Sequence, residues 1–74
     1  MTLRTLRQRK GYTQRELAGL CGMPLRTVQQ YEYGKRDING ARLKTLCTLA
    51  LALDCKVYDL LTDEETKIKL KRTV

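Results

Sequence analysis

Residues 13–34, TQRELAGLCGMPLRTVQQYEYG, constrain the fold of this chain most, because they carry two helix starts and a helix stop within a short distance. Thr13 and Glu16 have the spacing of a capping box, in which each residue accepts a hydrogen bond from the backbone N–H of the other. Gly22 suits the left-handed residue that ends a helix, and Pro24 suits the first turn of the next one. The pattern therefore predicts two short helices joined by a three-residue turn.

Each of these predicted helices has an inward face. Leu17, Ala18 and Cys21 form a narrow apolar face on the first helix, and Val28 and Tyr31 lie three positions apart on the second. Four side chains of the second helix are left pointing outward: Leu25, Arg26, Gln29 and Gln30. We interpret the segment as a helix-turn-helix.

A larger set of positions follows the pattern of a known family: Leu6, Arg7, Gly11, Thr13, Gln14, Leu17, Ala18, Gly22, Val28, Glu32, Gly34, Lys35, Arg36, Leu46, Leu49, Ala50, Ala52, Leu53, Asp59, Leu60 and Leu61. Through them, residues 3–61 resemble the Cro/cI-type (Xre-like) helix-turn-helix family of bacterial and phage repressors. The resemblance implies an all-α, compact five-helix domain of the lambda-repressor type over residues 1–61. It also implies sequence-specific binding of double-stranded DNA by a transcriptional regulator. Pro24 and Leu25 depart from the family, which often has polar residues there, and the loop at 37–41 resembles a longer variant.

Charge supports a polyanionic partner. The chain has 74 residues, enough for one small domain, and a formal net charge of +7. Residues 1–36 hold eight Lys and Arg against two acids, whereas residues 37–74 hold seven against six. The basic half is therefore the half with the helix-turn-helix, although basic residues also serve solubility alone.

The second helix of the motif is predicted to enter the major groove. Arg26 can donate two hydrogen bonds to guanine, and Gln29 or Gln30 can pair with adenine. Leu25 has no donor and is left with contact to a thymine methyl group. By family position Leu25, Arg26 and Gln30 match base-reading sites and Gln29 is secondary; the alternative for each is ordinary solvation.

Phosphates are expected at the start of the first motif helix, where free N–H groups near Gln14 and Arg15 favour an anion. The side chain of Gln14 also matches a backbone contact of the resembled family. The remaining basic candidates for phosphate contacts, each of which alone could be a solvated charge, are Arg9, Lys10, Lys35, Arg36 and Arg42. One domain contacts too few base pairs for a genomic site, so we expect a homodimer on a palindromic operator.

Arg7 shares the inward side of the first predicted helix, at about residues 2–10, with Leu3 and Leu6. The resemblance implies that it forms a structural ion pair with Glu32. An arginine facing a core needs such a partner, because an uncompensated buried charge is costly. The alternatives are a solvated charge or a phosphate contact.

Two further helices are predicted at about residues 41–53 and 56–61. The buried face of the first of them comprises Leu43, Leu46, Leu49, Ala50 and Leu53. Leu51 points away from that face, either as an ordinary exposed leucine or as a dimer contact.

Residues 62–74 form a separate tail in this interpretation. Residues 67–74 alternate apolar and polar side chains, which is strand periodicity, so the tail is expected to be frayed or strand-like. A strand there would pair with a second copy or a partner. The alternative function is therefore an antitoxin or protein-binding module that engages a partner through residues 66–74 by strand addition.

Cysteine, histidine and glycine usage argue against metal, cofactor and enzyme chemistry. Cys21, Cys47 and Cys55 lack CxxC spacing, the chain has no histidine, and no Gly-rich phosphate loop is present. We expect the cysteines to be small buried residues. The first residues lack the layout of a signal peptide, so a cytoplasmic protein without a membrane segment is expected.

Overall fold

Six α-helices and one 3₁₀ turn make up the regular structure of residues 2–73, the part of the chain that the computed structural model describes. The helices are α1 (Leu3–Arg9), α2 (Gln14–Cys21), α3 (Leu25–Glu32), α4 (Leu43–Leu53), α5 (Val57–Leu60) and α6 (Glu64–Thr73), and the 3₁₀ turn is Ile38–Gly40. None of these residues forms a β-strand. The predicted all-α, five-helix domain is confirmed by α1 to α5, and the sixth helix lies in the tail.

Local sequence signals position α2 and α3. Thr13 Oγ1 accepts from the Glu16 N–H at 3.0 Å, and Thr13 N–H donates to Glu16 Oε1 at 2.8 Å, which completes the capping box. The hydrogen bonds with Thr13, chiefly the one from its backbone, hold the pKa of Glu16 below its usual value. Gly22 ends α2 in the left-handed region at φ 64°, ψ 32°. Pro24 is extended at ψ 144° and immediately precedes α3, one position earlier than a first-turn proline.

One apolar core joins the helices through twelve buried side chains: Leu3, Leu6, Leu17, Ala18, Val28, Ile38, Leu46, Leu49, Ala50, Leu53, Leu60 and Leu61. α2 packs against both α3 and α4, and α1 packs against α3. Each of these helices therefore buries one face only, as their amphipathic patterns predict.

The outer side of α4 corrects two sequence predictions. Leu43 is 64% exposed rather than buried, because it begins α4 and lies at the edge of the buried stripe, in one i, i+4 row with Cys47 and Leu51. Cys47 is exposed, and Cys21 and Cys55 are only half-buried, so the cysteines are not the buried residues expected. Burial raises the pKa of the Cys21 thiol.

The frayed or strand-like tail is also wrong for the described residues, because residues 64–73 form α6. Asp63 starts this helix: its Oδ2 accepts from the Thr66 N–H at 3.2 Å and from the Thr66 hydroxyl at 2.6 Å. Leu70 then packs against the core, and the Lys67 ammonium lies 5.3 Å from the centre of the Tyr58 ring. Strand addition through residues 66–73 therefore lacks its strand, and position 74 lies outside the described residues.

Asn39 connects two loops that are distant in sequence. Its Oδ1 accepts from the backbone N–H groups of Thr62 and Asp63, at 2.8 Å and 3.0 Å. Its Nδ2 donates to Asp37 Oδ1 at 2.8 Å and to Thr62 Oγ1 at 2.9 Å. The segment after α3 is therefore fixed to the connection between α5 and α6.

No helix within residues 2–73 has the length and apolar character needed to cross a membrane. In the same range, no three His, Cys, Asp or Glu side chains lie together in a way that could hold a metal ion.

Candidate nucleic-acid interface

The outer face of α3 is the candidate base-reading surface. Val28 anchors the opposite face at 0% exposure, and Tyr31 packs beside it, half-buried. Arg26 is exposed on the first turn of α3, whereas Gln29 and Gln30 are half-buried. A helix held on one side by the core thus presents one arginine and two glutamines along its other side.

Leu25 differs from the sequence prediction, which placed it pointing outward. It is half-buried and packs against the core. The reason is its position three residues before Val28, which puts it at the border of the inward face. Only part of this side chain is accessible to a ligand.

Glu32, the last residue of α3, is the centre of a hydrogen-bond network with α1. Arg7 Nε donates to Glu32 Oε2 at 2.7 Å, and Arg7 Nη2 donates to Oε1 at 3.1 Å. Arg7 Nη1 also donates to the Tyr12 carbonyl oxygen at 2.7 Å. The Glu32 side chain is 0% exposed and that of Arg7 is 12% exposed, so the predicted partners are in contact away from water.

The charges of this pair are mutually stabilised. Burial by itself would raise the pKa of Glu32, but the hydrogen bonds from Arg7, Gln14 and Arg4 and the charge of Arg7 together leave that pKa below its usual value. The hydrogen bond to Glu32 likewise raises the pKa of Arg7. Both groups are therefore ionised at neutral pH, and α3 is fixed to α1 by a buried, bidentate pair.

Gln14 belongs to the same network. Its Nε2 donates to Glu32 Oε1 at 3.1 Å and to the Tyr33 hydroxyl at 3.3 Å. Gln14 is the first residue of α2, so its half-buried amide links the start of α2 to the end of α3. The sequence pattern indicated a phosphate contact here but gave no sign of these internal hydrogen bonds.

Arg4 and Tyr33 also belong to this network, and the sequence predicted neither of them as a member. Arg4 Nε donates to Glu32 Oε1 at 3.3 Å, and the Arg4 guanidinium lies 5.7 Å from the centre of the Tyr33 ring. The available signal was spacing, because Arg4 lies one helical turn before Arg7 and so shares its side of α1.

The loop after α3 is held beside the helix. The backbone N–H groups of Lys35 and Arg36 both donate to the Gln30 carbonyl oxygen, at 2.8 Å and 3.1 Å. The Arg36 guanidinium lies 5.7 Å from the centre of the Tyr31 ring. Arg36 and Arg42 line one surface depression next to Tyr31, together with the single acid Asp37, so two guanidinium groups lie near the C-terminal end of α3.

The other predicted phosphate contacts are divided between two places. Arg15 is exposed on the first turn of α2, close to the motif. Arg9 and Lys10 instead border a depression that also contains Asp54 and Asp59. The structure therefore groups Arg15, Lys35, Arg36 and Arg42 with the helix-turn-helix and leaves Arg9 and Lys10 beside acidic residues.

Comparison with known proteins gives one match. A family model described as helix-turn-helix matches residues 3–60, which is most of the chain and includes α1 to α5. No curated protein and no solved structure gives a significant match.

Proposed function

This chain belongs to the Cro/cI-type (Xre-like) helix-turn-helix family of DNA-binding transcriptional regulators, and from that premise we propose that it is a sequence-specific repressor that reads the major groove with α3. The observation that carries the proposal is the exposure of Arg26 on the first turn of a helix whose other side is fixed by Val28 and Glu32. Base-reading side chains lie on the N-terminal half of a recognition helix in this docking mode.

Base readout would use side chains with different chemistry. Arg26 would donate two hydrogen bonds to the O6 and N7 atoms of a guanine. Gln30, with Gln29 in a secondary role, would pair with adenine N6 and N7. The accessible part of Leu25 would contact a thymine methyl group.

Phosphate contacts would flank these base contacts. The first N–H groups of α2 and the side chains of Gln14 and Arg15 would hold a phosphate at one end of the motif. Lys35, Arg36 and Arg42 would hold phosphates at the other end, where Arg36 and Arg42 line the depression beside Tyr31. Arg9 and Lys10 remain candidates for a more distant phosphate.

Two copies of the chain would bind a palindromic operator. A single recognition helix distinguishes few base pairs, and a second copy one helical turn away supplies the remaining specificity. Repression requires no activity besides binding, because a protein bound at the operator blocks access of the transcription machinery to the DNA that overlaps it.

A selection of bound oligonucleotides from a random pool tests this proposal. We expect enrichment of an inverted repeat whose half-sites contain a guanine, with half-site centres about 10 base pairs apart. A reporter gene placed behind the selected site should be expressed less when the protein is present. A bound pool without sequence enrichment would contradict the proposal.

A further inference from the structure

Apolar side chains are exposed along the outer side of α4, away from the helix-turn-helix. Leu43, Cys47 and Leu51 form one i, i+4 row, and the two leucines are 64% and 86% exposed. A groove beside this row is lined mainly by apolar parts of Leu43, Cys47, Val57, Tyr58 and Leu70. We call the row and the groove together the α4 surface. Single exposed leucines are ordinary, but a continuous apolar surface of this kind marks an interaction site.

We propose that the α4 surface docks a second copy of this chain, with the two α4 helices antiparallel about a two-fold axis that passes close to Cys47. The inference rests on the proposed function, in which two copies share an operator, and it adds the surface through which they associate. Its test measures association without DNA, so that the two proposals can fail separately.

The first argument is the symmetry of the row. A leucine lies four residues before Cys47 and another lies four residues after it. In a two-fold interface each contact occurs twice with the partners exchanged. Antiparallel pairing therefore places Leu43 of each copy opposite Leu51 of the other. Rows of this i, i+4 type pack with helices crossing at about −50°, and the small Cys47 at the crossing point permits close approach.

The second argument is complementary shape. Leu51 protrudes from one end of α4, and the groove opens beside Leu43 at the other end. The same two-fold operation that pairs Leu51 with Leu43 brings each Leu51 to the partner's groove, between Leu43 and Leu70. Both protruding leucines are buried by one arrangement.

The third argument is complementary charge. Asp54 lies beside Leu51, whereas Lys56 and Lys71 border the groove. Antiparallel pairing brings Asp54 of each copy toward the Leu43 end of the other, where Lys71 borders the groove beside Leu70. The carboxylate of Asp59 also borders the groove, but it already accepts from the Lys56 N–H at 3.0 Å. An acidic group thus accompanies the protruding leucine, and a lysine borders the part of the groove that would receive it.

The surface is also compatible with DNA binding. Its residues belong to α4, α5 and α6 or, for Lys56, immediately precede α5, and none belongs to α2 or α3. Association through it leaves Arg26 and the glutamines of α3 uncovered.

Sedimentation equilibrium of the full chain without DNA tests the proposal. We expect a dimer, and we expect Leu51→Asp to raise the dimer dissociation constant by about 100-fold because two buried leucines are lost. Leu20→Asp is the matched control, since Leu20 is exposed on α2, outside the α4 surface. It should leave the dissociation constant unchanged. A wild-type chain that is monomeric at about 100 μM, or a dimer that Leu51→Asp leaves intact, would overturn the proposal.

Crosslinking supplies a second measurement that does not depend on a disruptive variant. With Cys21→Ser and Cys55→Ser, Cys47 is the remaining thiol, and a short bis-maleimide should join two chains rapidly. A chain that keeps only Cys21 should react between copies at least tenfold more slowly. Equal rates would overturn the placement of Cys47 at the axis. Binding of Leu51→Asp to a single half-site should match wild type, and loss of half-site binding in every variant would count against the proposed function instead.

Discussion

Glu32 ends α3 and accepts two hydrogen bonds from Arg7 of α1, a residue 25 positions earlier in the chain. Since the Glu32 side chain is inaccessible to water and that of Arg7 is only 12% exposed, removing either group leaves the other charge poorly solvated. The orientation of α3 on the core therefore depends on this pair as well as on apolar packing.

Replacing Glu32 by alanine should destabilise the fold strongly, because the guanidinium of Arg7 would be left buried without a carboxylate. We expect a loss of about 3 to 5 kcal/mol, which in a domain of this size lowers Tm by more than about 10 °C. Thermal unfolding followed by circular dichroism measures it. Glu65→Ala is the control: its carboxylate is 75% exposed in a surface pair with Lys69, and its loss should cost less than about 1 kcal/mol. Equal melting temperatures for wild type and Glu32→Ala would mean that the pair of Arg7 and Glu32 does not stabilise the fold.

The same pair predicts a pH dependence. The pKa of Glu32 is lower in the folded chain than in the unfolded one. The contribution of its charge to the free energy of unfolding is therefore complete above the unfolded pKa of about 4.3. It is lost as the pH falls through the lower folded value. The free energies of unfolding of wild type and Glu32→Gln, measured with urea, should therefore differ most at pH 7 and progressively less as the pH is lowered. A difference that is constant from pH 7 to pH 3 would contradict this assignment.

Arg26→Ala should weaken binding to the selected operator by about 1 to 3 kcal/mol and relax the choice of base at one position of each half-site. The physical reason is the loss of two hydrogen bonds to a guanine edge. Fluorescence anisotropy with the selected site and single-base variants measures both effects. Lys69→Ala, on α6, should leave the base preference unaltered. An Arg26→Ala protein with undiminished preference would exclude the proposed docking of α3.

Arg36→Ala should weaken binding to all DNA sequences alike. One lost phosphate contact makes the slope of log affinity against log salt shallower by about 0.9. Lys10→Ala is the informative comparison, because Lys10 lies beside Asp54 and Asp59 rather than beside α3. We expect a smaller change of slope for Lys10→Ala, measured by titration at several salt concentrations. A base-specific loss for Arg36→Ala would place its guanidinium in the groove instead of on the backbone.

Two glycines of one helix should respond in opposite directions to alanine. Gly22 has φ 64°, a conformation that costs an alanine about 1 to 2 kcal/mol, so Gly22→Ala should lower stability. Gly19 lies inside α2 with open space around it, so Gly19→Ala should raise stability by about 0.5 to 1 kcal/mol. Denaturant unfolding of both variants measures the change in the free energy of unfolding, which should be negative for Gly22→Ala and positive for Gly19→Ala. A stabilising Gly22→Ala would mean that the turn does not need a left-handed residue.

Sequence predicted the motif well because its signals are local. The capping box at Thr13, the left-handed Gly22 and the buried stripe of α4 all depend on neighbours within a few residues. The bond from Gln14 to Glu32 was not predictable in this way, because it requires the relative placement of two helices. Leu25 and Leu43 were misassigned for a related reason: both begin a helix at the edge of its buried face, where periodicity does not decide exposure.

The last helix shows how a short pattern misleads. Alternation over residues 67–74 fitted a strand, but Leu70 contacts the core and Lys67 lies over Tyr58, so a lysine performs part of the packing. The better signal was at the other end, where Asp63 can cap a helix that has acidic residues in its first turn and basic residues in its last. Capping and charge distribution outweighed the alternation of apolar residues.

Asn39 connects the loop that follows α3 with the residues that start α6. Its amide side chain hydrogen-bonds both to the loop after α3 and to the residues that start α6, and so links the loop to the final helix. A duplex that displaced this loop would act through Asn39 on the start of α6, whose Leu70 borders the α4 surface. Under the two proposals, DNA binding and subunit pairing would be thermodynamically linked, and each would change the affinity of the other by the same factor.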